Sequence, residues 1–159
     1  MNTMYRLLIA DDALDELECI VFLISKFKLP FEVTSAINGE DALGYLQQEH
    51  FDILLTDIQM PFMDGLELSK HALALYPDLR VVIISAHEDF SYAQTAIRLG
   101  VCEYLLKPIQ PQELNNILQK VLSSIKEQHL QKRLDSMTAN YAKNHLLLPV
   151  SYTHLTLPT

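Results

Sequence analysis

The chain has 159 residues, the length of one ordinary domain with a helical extension and too short for two full domains. It is 49% hydrophobic and 20% charged, too apolar to stay disordered, and its 12 Lys and Arg against 20 Asp and Glu oppose binding to phosphate backbones and anionic membranes. The acid is local: residues 1–110 hold 17 acids against 7 bases, whereas residues 111–159 hold 3 against 5.

Tyr5–Ala10 is a short run that is apolar but for Arg6, which predicts a strand buried on both faces, and Leu14, Leu17, Ile20, Val21, Ile24 and Phe27 follow at helical spacing. Pro30 ends that helix, Phe31–Ala36 reads as a second strand, and Asn38-Gly39 turns the chain into a short helix carrying Ala42, Leu43 and Leu46. Asp52–Thr56 is the third predicted strand; after Pro61 and Gly65, Leu66, Leu68, His71, Ala72 and Leu75 mark a helix ended near Pro77. Val81–Ser85 is a β-branched fourth strand, Tyr92, Ala93, Ala96, Ile97 and Leu99 a helix stopped by Gly100, and Glu103–Leu106 a fifth strand before Lys107-Pro108. Alternating elements with near-continuously apolar strands predict a parallel sheet covered on both faces, the flavodoxin-like, doubly wound α/β class. From Pro111 onward Leu114, Leu118, Val121 and Ile125, then Leu130, Leu134, Met137 and Tyr141, step by four, three and four. The gap between Ile125 and Leu130 rotates the second stripe around the helix, which suits a linker or a dimer seam.

The first apolar stretch, Leu7 to Ala10, meets Asp11 and Asp12 at once, so neither a signal peptide nor a membrane span is expected. Cys19 and Cys102 lie in apolar stretches without a partner at metal-ligand spacing, which predicts two buried free thiols in a reducing cytoplasm. With four glycines there is no Walker loop or dinucleotide fingerprint, and neither a zinc-protease pair nor a Gly-x-Ser-x-Gly elbow occurs.

In a parallel α/β sheet the ligand site lies beyond the carboxyl ends of the strands where the strand order reverses. Asp11 and Asp12 end the first predicted strand and Asp57 follows the third, so the order 2-1-3-4-5 makes three carboxylates converge. Such a cluster repels itself unless a cation neutralises it, and oxygen ligands suit Mg²⁺. Lys107 after the fifth strand adds a positive charge, and Ser85 at the end of the fourth adds a hydroxyl. Singly these residues have ordinary readings as N-cap, turn or solvated surface; jointly, each terminates a predicted strand on one edge of one sheet.

The string Asp57-Ile58-Gln59-Met60-Pro61 with Asp64-Gly65, the pair Asp11-Asp12, Ser85-Ala86 and Lys107-Pro108 together resemble the response-regulator receiver domains of two-component signalling. The resemblance implies a CheY-like sheet of order 2-1-3-4-5 with an extended C-terminal helix. It implies that Asp57 is the phosphoacceptor for a sensor histidine kinase, and that Asp12 is a direct Mg²⁺ ligand, Asp11 a ligand through water and the Gln59 carbonyl a third. Ser85 and Tyr104 would be the switch pair, and Lys107, before a cis Pro108, a catalytic cation. Such a chain promotes its own phosphorylation and dephosphorylation and is otherwise not an enzyme. Residues 1–125 would form the receiver, 126–148 a linker or dimerisation helix, and 149–159 a disordered tail. The stretch Ser85 to Phe90 with Tyr92-Ala93 and Ile97 to Val101 is similar to receivers fused to AraC-type output domains, so a chain cut before its output domain is expected. Val150 to Thr159 resembles read-through of a sequencing adaptor. Expected partners are a histidine kinase and a second copy of the chain, with no direct nucleic-acid or membrane contact.

Two other readings use the same residues. A phosphatase of the haloacid dehalogenase class also sets aspartates and Mg²⁺ on such a sheet, but its nucleophile and acid lie two residues apart after the first strand, where this chain has Asp11-Asp12-Ala13. A flavin-binding module would place a Ser/Thr/Gly loop there to cradle phosphate, and an acidic pair would repel it.

Overall fold

A computed structural model describes residues 3–86 and 90–145. His87, Glu88 and Asp89 of the AraC-like stretch, and the tail including Val150 to Thr159, lie outside the described residues. Five strands, β1 (Tyr5–Ala10), β2 (Phe31–Ala36), β3 (Ile53–Asp57), β4 (Arg80–Ser85) and β5 (Glu103–Leu106), form one parallel sheet in the order β2-β1-β3-β4-β5. The helices between and after them are α1 (Leu14–Lys26), α2 (Gly39–Gln48), α3 (Gly65–Leu75), α4 (Phe90–Leu99) and α5 (Pro111–His145). This is the expected CheY-like fold with its long C-terminal helix. The chain divides into two compact units, Met1–Val121 and Leu122–Thr159.

Within the first unit the continuous apolar runs fill both faces of the sheet, as parallel strands require. All five residues of β3 are buried, and one core cluster joins Leu8, Leu54, Val81 and Ile83 of the strands to Ala42 and Leu46 of α2 and Leu68 and Ala72 of α3. Helix starts follow their caps: Asn38 Oδ1 accepts from Asp41 N at 2.8 Å and Asp64 Oδ1 from Glu67 N at 2.8 Å, each worth about 1 kcal/mol. Helix α1 begins differently. Its N-cap is Ala13, without a side-chain cap, and its first turn carries Asp15 and Glu16, charges that suit the positive end of the helix dipole.

Several boundaries and faces differ from the sequence reading. Strand β3 starts and ends one residue later than predicted, so Asp57 lies within it. On α1 the buried stripe is Leu17, Ile20, Leu23 and Ile24, leaving Leu14 and Val21 exposed. Both cysteines are free, but they are exposed and not buried. Cys19 falls off the inward stripe of α1, and Cys102 lies in the turn before β5, where its backbone N–H is tied to Val81 O at 2.8 Å. Apolar neighbours in sequence point elsewhere on a helix or turn, which is why they misled.

In the second unit the described residues continue α5. Leu122 and Ile125 are buried, whereas Leu130, Leu134, Met137 and Tyr141 are exposed. Gln131 Nε2 donates to Asp135 Oδ1 at 3.0 Å one turn on. No helix among the described residues is long and apolar enough to cross a membrane.

Candidate functional site

The strand order makes β1 and β3 neighbours, with Ala10 in register with Thr56, so the residues following Ala10 emerge beside Asp57. Asp11 leaves the sheet with its N–H bonded to Ala36 O at 3.1 Å, and its Oδ1 accepts from Ala13 N at 2.9 Å. Carboxylate oxygens of Asp11, Asp12 and Asp57 all lie within 4.8 Å of one another. Asp11 and Asp57 are buried, Asp12 is exposed.

The loop after β3 fixes Asp57. Ile58 N donates to Asp57 Oδ1 at 2.7 Å and Thr56 Oγ1 to Asp57 O at 2.9 Å. Gly65 closes the loop by donating from N to Ile58 O at 2.7 Å. A Cβ at this position would lie 1.9 Å from Asp57 O, so the backbone approach that seats α3 against the site requires glycine. Gln59 sits in the same loop with its side chain exposed.

Lys107 follows β5, its N–H bonded to Ser85 O at 2.8 Å, and its bond to Pro108 is cis. Its ammonium donates to Asp57 Oδ2 at 3.0 Å and to Glu16 Oε2 at 2.5 Å, with Asp11 Oδ2 at 3.6 Å. Ser85, the last residue of β4, is fully buried and in register with Leu106; Tyr104 is half-buried in β5, in register with Ile83. The structure thus gathers Asp11, Asp12, Asp57 and Lys107 directly, and sets Ser85 and Tyr104 on the two adjoining strands.

Glu16 is the member that sequence reasoning missed. It stands on the first turn of α1 and meets Lys107 across 91 residues of sequence. No signal in the sequence sets it apart, because an acid in the first turn of a helix is ordinarily a solvated residue that suits the helix dipole. Burial raises the Asp11 carboxyl to about 7, assisted by a hydrogen bond with Glu16 and opposed by Ala13 N–H and the Lys107 charge. Burial also works against ionised Glu16, but its hydrogen bonds with Asp11 and Lys107 outweigh this and hold it below the ordinary range. Burial works against charged Lys107 as well, and its carboxylate partners Glu16, Asp57 and Asp11 prevail and raise it.

Three convergent carboxylates, two buried and one exposed, offer only hard oxygen donors, the donor set that Mg²⁺ takes while keeping waters and a phosphoryl oxygen. The model of the response regulator receiver domain matches residues 7–119, and the chain belongs to this family. Receiver domains of response regulators serve two-component systems, are phosphorylated by sensor histidine kinases, bind Mg²⁺ at an acidic pocket and are signalling domains rather than classical enzymes. The membership decides for the receiver over the phosphatase and the flavin module.

The chain is 34% identical over 131 residues to the uncharacterized transcriptional regulatory protein YesN of Bacillus subtilis, covering 82% of this chain and 36% of that protein. It is 35% identical over 123 residues to the two-component response regulator ARR10 of Arabidopsis thaliana, covering 76% of this chain and 22% of that one. The REC domain of AraT, a response regulator from Geobacillus stearothermophilus, superposes with a TM-score of 0.73 at 39% identity, over 80% of this chain and 99% of that one. The chain thus spans about a third or less of the curated relatives it matches.

Proposed function

We propose that this receiver is a phosphorylation-dependent switch in which Asp57 accepts a phosphoryl group from a histidine kinase, with Mg²⁺ as cofactor. The observation that carries the reading is the 3.0 Å contact of Lys107 Nζ with Asp57 Oδ2 beside the three-carboxylate cluster. Asp11, Asp12, Asp57 and the Gln59 carbonyl would hold the ion, whose charge offsets that of the transferring group. A carboxylate oxygen of Asp57 attacks phosphorus, the P–N bond of the phosphohistidine breaks, and its electron pair leaves with the imidazole. The product is an acyl phosphate. Lys107 stabilises the charge on its equatorial oxygens, and the Ser85 hydroxyl moves to donate to one of them. Tyr104 then turns inward, changing the surface near α4 and β5 that controls an output domain or dimerisation. The same residues serve hydrolysis of the acyl phosphate, so the chain promotes both directions without turning over other substrates.

Residues 1–125 carry the switch and 126–148 the linker. Exposed Leu130, Leu134, Met137 and Tyr141 at coiled-coil spacing support a second copy of the chain as partner, and the net acidic charge supports neither a nucleic-acid nor a membrane partner. Free exposed thiols support a cytoplasmic setting. Incubation with acetyl phosphate tests the switch. The wild-type chain gains a phosphoryl adduct in intact-mass spectra, EDTA suppresses it and Asp57→Ala abolishes it; an adduct of equal yield in Asp57→Ala overturns the reading.

A further inference from the structure

Glu16 belongs to no strand end, yet it makes the shortest contact with the cation of the site. Lys107 Nζ lies 2.5 Å from Glu16 Oε2, against 3.0 Å from Asp57 Oδ2 and 3.6 Å from Asp11 Oδ2. The ammonium is therefore divided among three carboxylates, and its closest partner is the one that holds neither metal nor phosphoryl group in the function proposed above. Lys107 is anchored at its backbone to Ser85 O at 2.8 Å, so the ammonium can redistribute among these partners only by bending its own side chain.

We propose that Glu16 is a positioning residue that draws the Lys107 charge off Asp57 and Asp11 and so sets the balance of the site between cation and anion, an inference that rests on the proposed function. Two consequences of opposite sign follow. With Glu16 neutralised, Lys107 bears fully on Asp57 and Asp11, and these carboxylates attract Mg²⁺ less. A phosphoryl group or its mimic meets one negative charge fewer and an ammonium no longer shared, and is held more tightly. The Glu16 side chain is 36% exposed, so solvent screens the effect to about three- to tenfold in each direction.

The test uses the full chain as wild type, Glu16→Gln and Glu16→Asp. Calorimetry gives Mg²⁺ affinity, and fluorine NMR at saturating Mg²⁺ gives beryllofluoride affinity. Glu16→Gln is expected to weaken Mg²⁺ binding and tighten beryllofluoride binding, about three- to tenfold each, while Glu16→Asp, which keeps the charge, stays near wild type for Mg²⁺. Structural damage would weaken both ligands together and lower the melting midpoint, and that result overturns the inference, as does a Glu16→Gln protein indistinguishable from wild type. A wild-type chain that binds neither ion overturns the proposed function and this inference with it. A wild-type chain that binds both, beside an unaltered Glu16→Gln variant, overturns the inference alone.

Discussion

At the amino edge of the sheet Arg6 Nη2 meets Glu49 Oε1 at 2.5 Å, its guanidinium lies 4.6 Å over the Phe51 ring, and Asp52 Oδ2 accepts from Arg6 N at 2.8 Å. At the carboxyl edge Asp11, Asp57 and Glu16 crowd around Lys107, with Asp12 beside them. The same strands thus end in two electrostatic regimes. One edge matches acids with local donors and has little charge left to offer a ligand. The other holds an excess of carboxylates, whose mutual repulsion a divalent cation would relieve. The difference teaches why the proposed switch is placed at the carboxyl edge: its charges do not close among themselves.

The widest gap between the edges should appear when each loses its cation. Lys107→Met removes the counter-charge of two buried carboxylates and should cost about 2–3 kcal/mol in chelator, below the full penalty of a buried pair because Asp11 can take up a proton. Arg6→Met should cost about 1 kcal/mol or less, since Arg6 and Glu49 are 30% and 40% exposed. Denaturant titrations measure both, and equal losses would break the comparison.

Mg²⁺ should separate the edges next. At a hundredfold excess over its dissociation constant it should stabilise the wild-type fold by about 2.7 kcal/mol, because the dispersed carboxylates of the unfolded chain do not bind it. Asp12→Ala should lose most of that gain, and Asp52→Ala at the opposite edge should keep it. Melting midpoints with and without EDTA decide the matter, and an equal gain in both variants contradicts the assignment.

A smaller effect sharpens the point through pH. In chelator the folded Asp11 carboxyl titrates at about 7 against an ordinary 3.8, so between these values the folded state binds the extra proton. Its contribution to stability is present below about pH 4 and is lost as pH rises toward 7. Glu16, held below its ordinary value, acts in the opposite sense at lower pH, where its contribution is lost as pH falls. Melting midpoints in EDTA should therefore decline from about pH 5 to 7, and Asp11→Asn should flatten that decline. A wild-type midpoint that rises through the window would contradict a raised Asp11 carboxyl.

Much of the carboxyl edge was legible in the sequence because parallel strands announce themselves as continuous apolar runs, so the polar residue that breaks each run marks a strand end. Asp11, Ser85 and Lys107 were found in this way. The register that makes Asp57 the last residue of β3 was legible only to within one position, since Asp52 and Asp57 bracket an apolar run whose pairing is set by β1. Glu16 was not legible. It lies on a helix where neighbouring acids are ordinary surface residues, and only the packing of α1 brings it over Lys107. The cysteines were misread for the related reason that apolar neighbours in sequence do not share a direction on a helix. The amino edge escaped notice because Arg6 interrupts a strand start and finds Glu49 only through the β1–β3 pairing.

The claim that the unbalanced edge exists to carry a phosphoryl group is tested most directly by trapping the acyl phosphate. Protein phosphorylated with acetyl phosphate in Mg²⁺ is reduced with borohydride, digested and mapped by mass spectrometry. The account predicts modification at Asp57 alone, with none at Asp11, Asp12 or Glu16 and none at any residue of an Asp57→Ala chain. Modification of another residue in similar yield, persisting in Asp57→Ala, would contradict it.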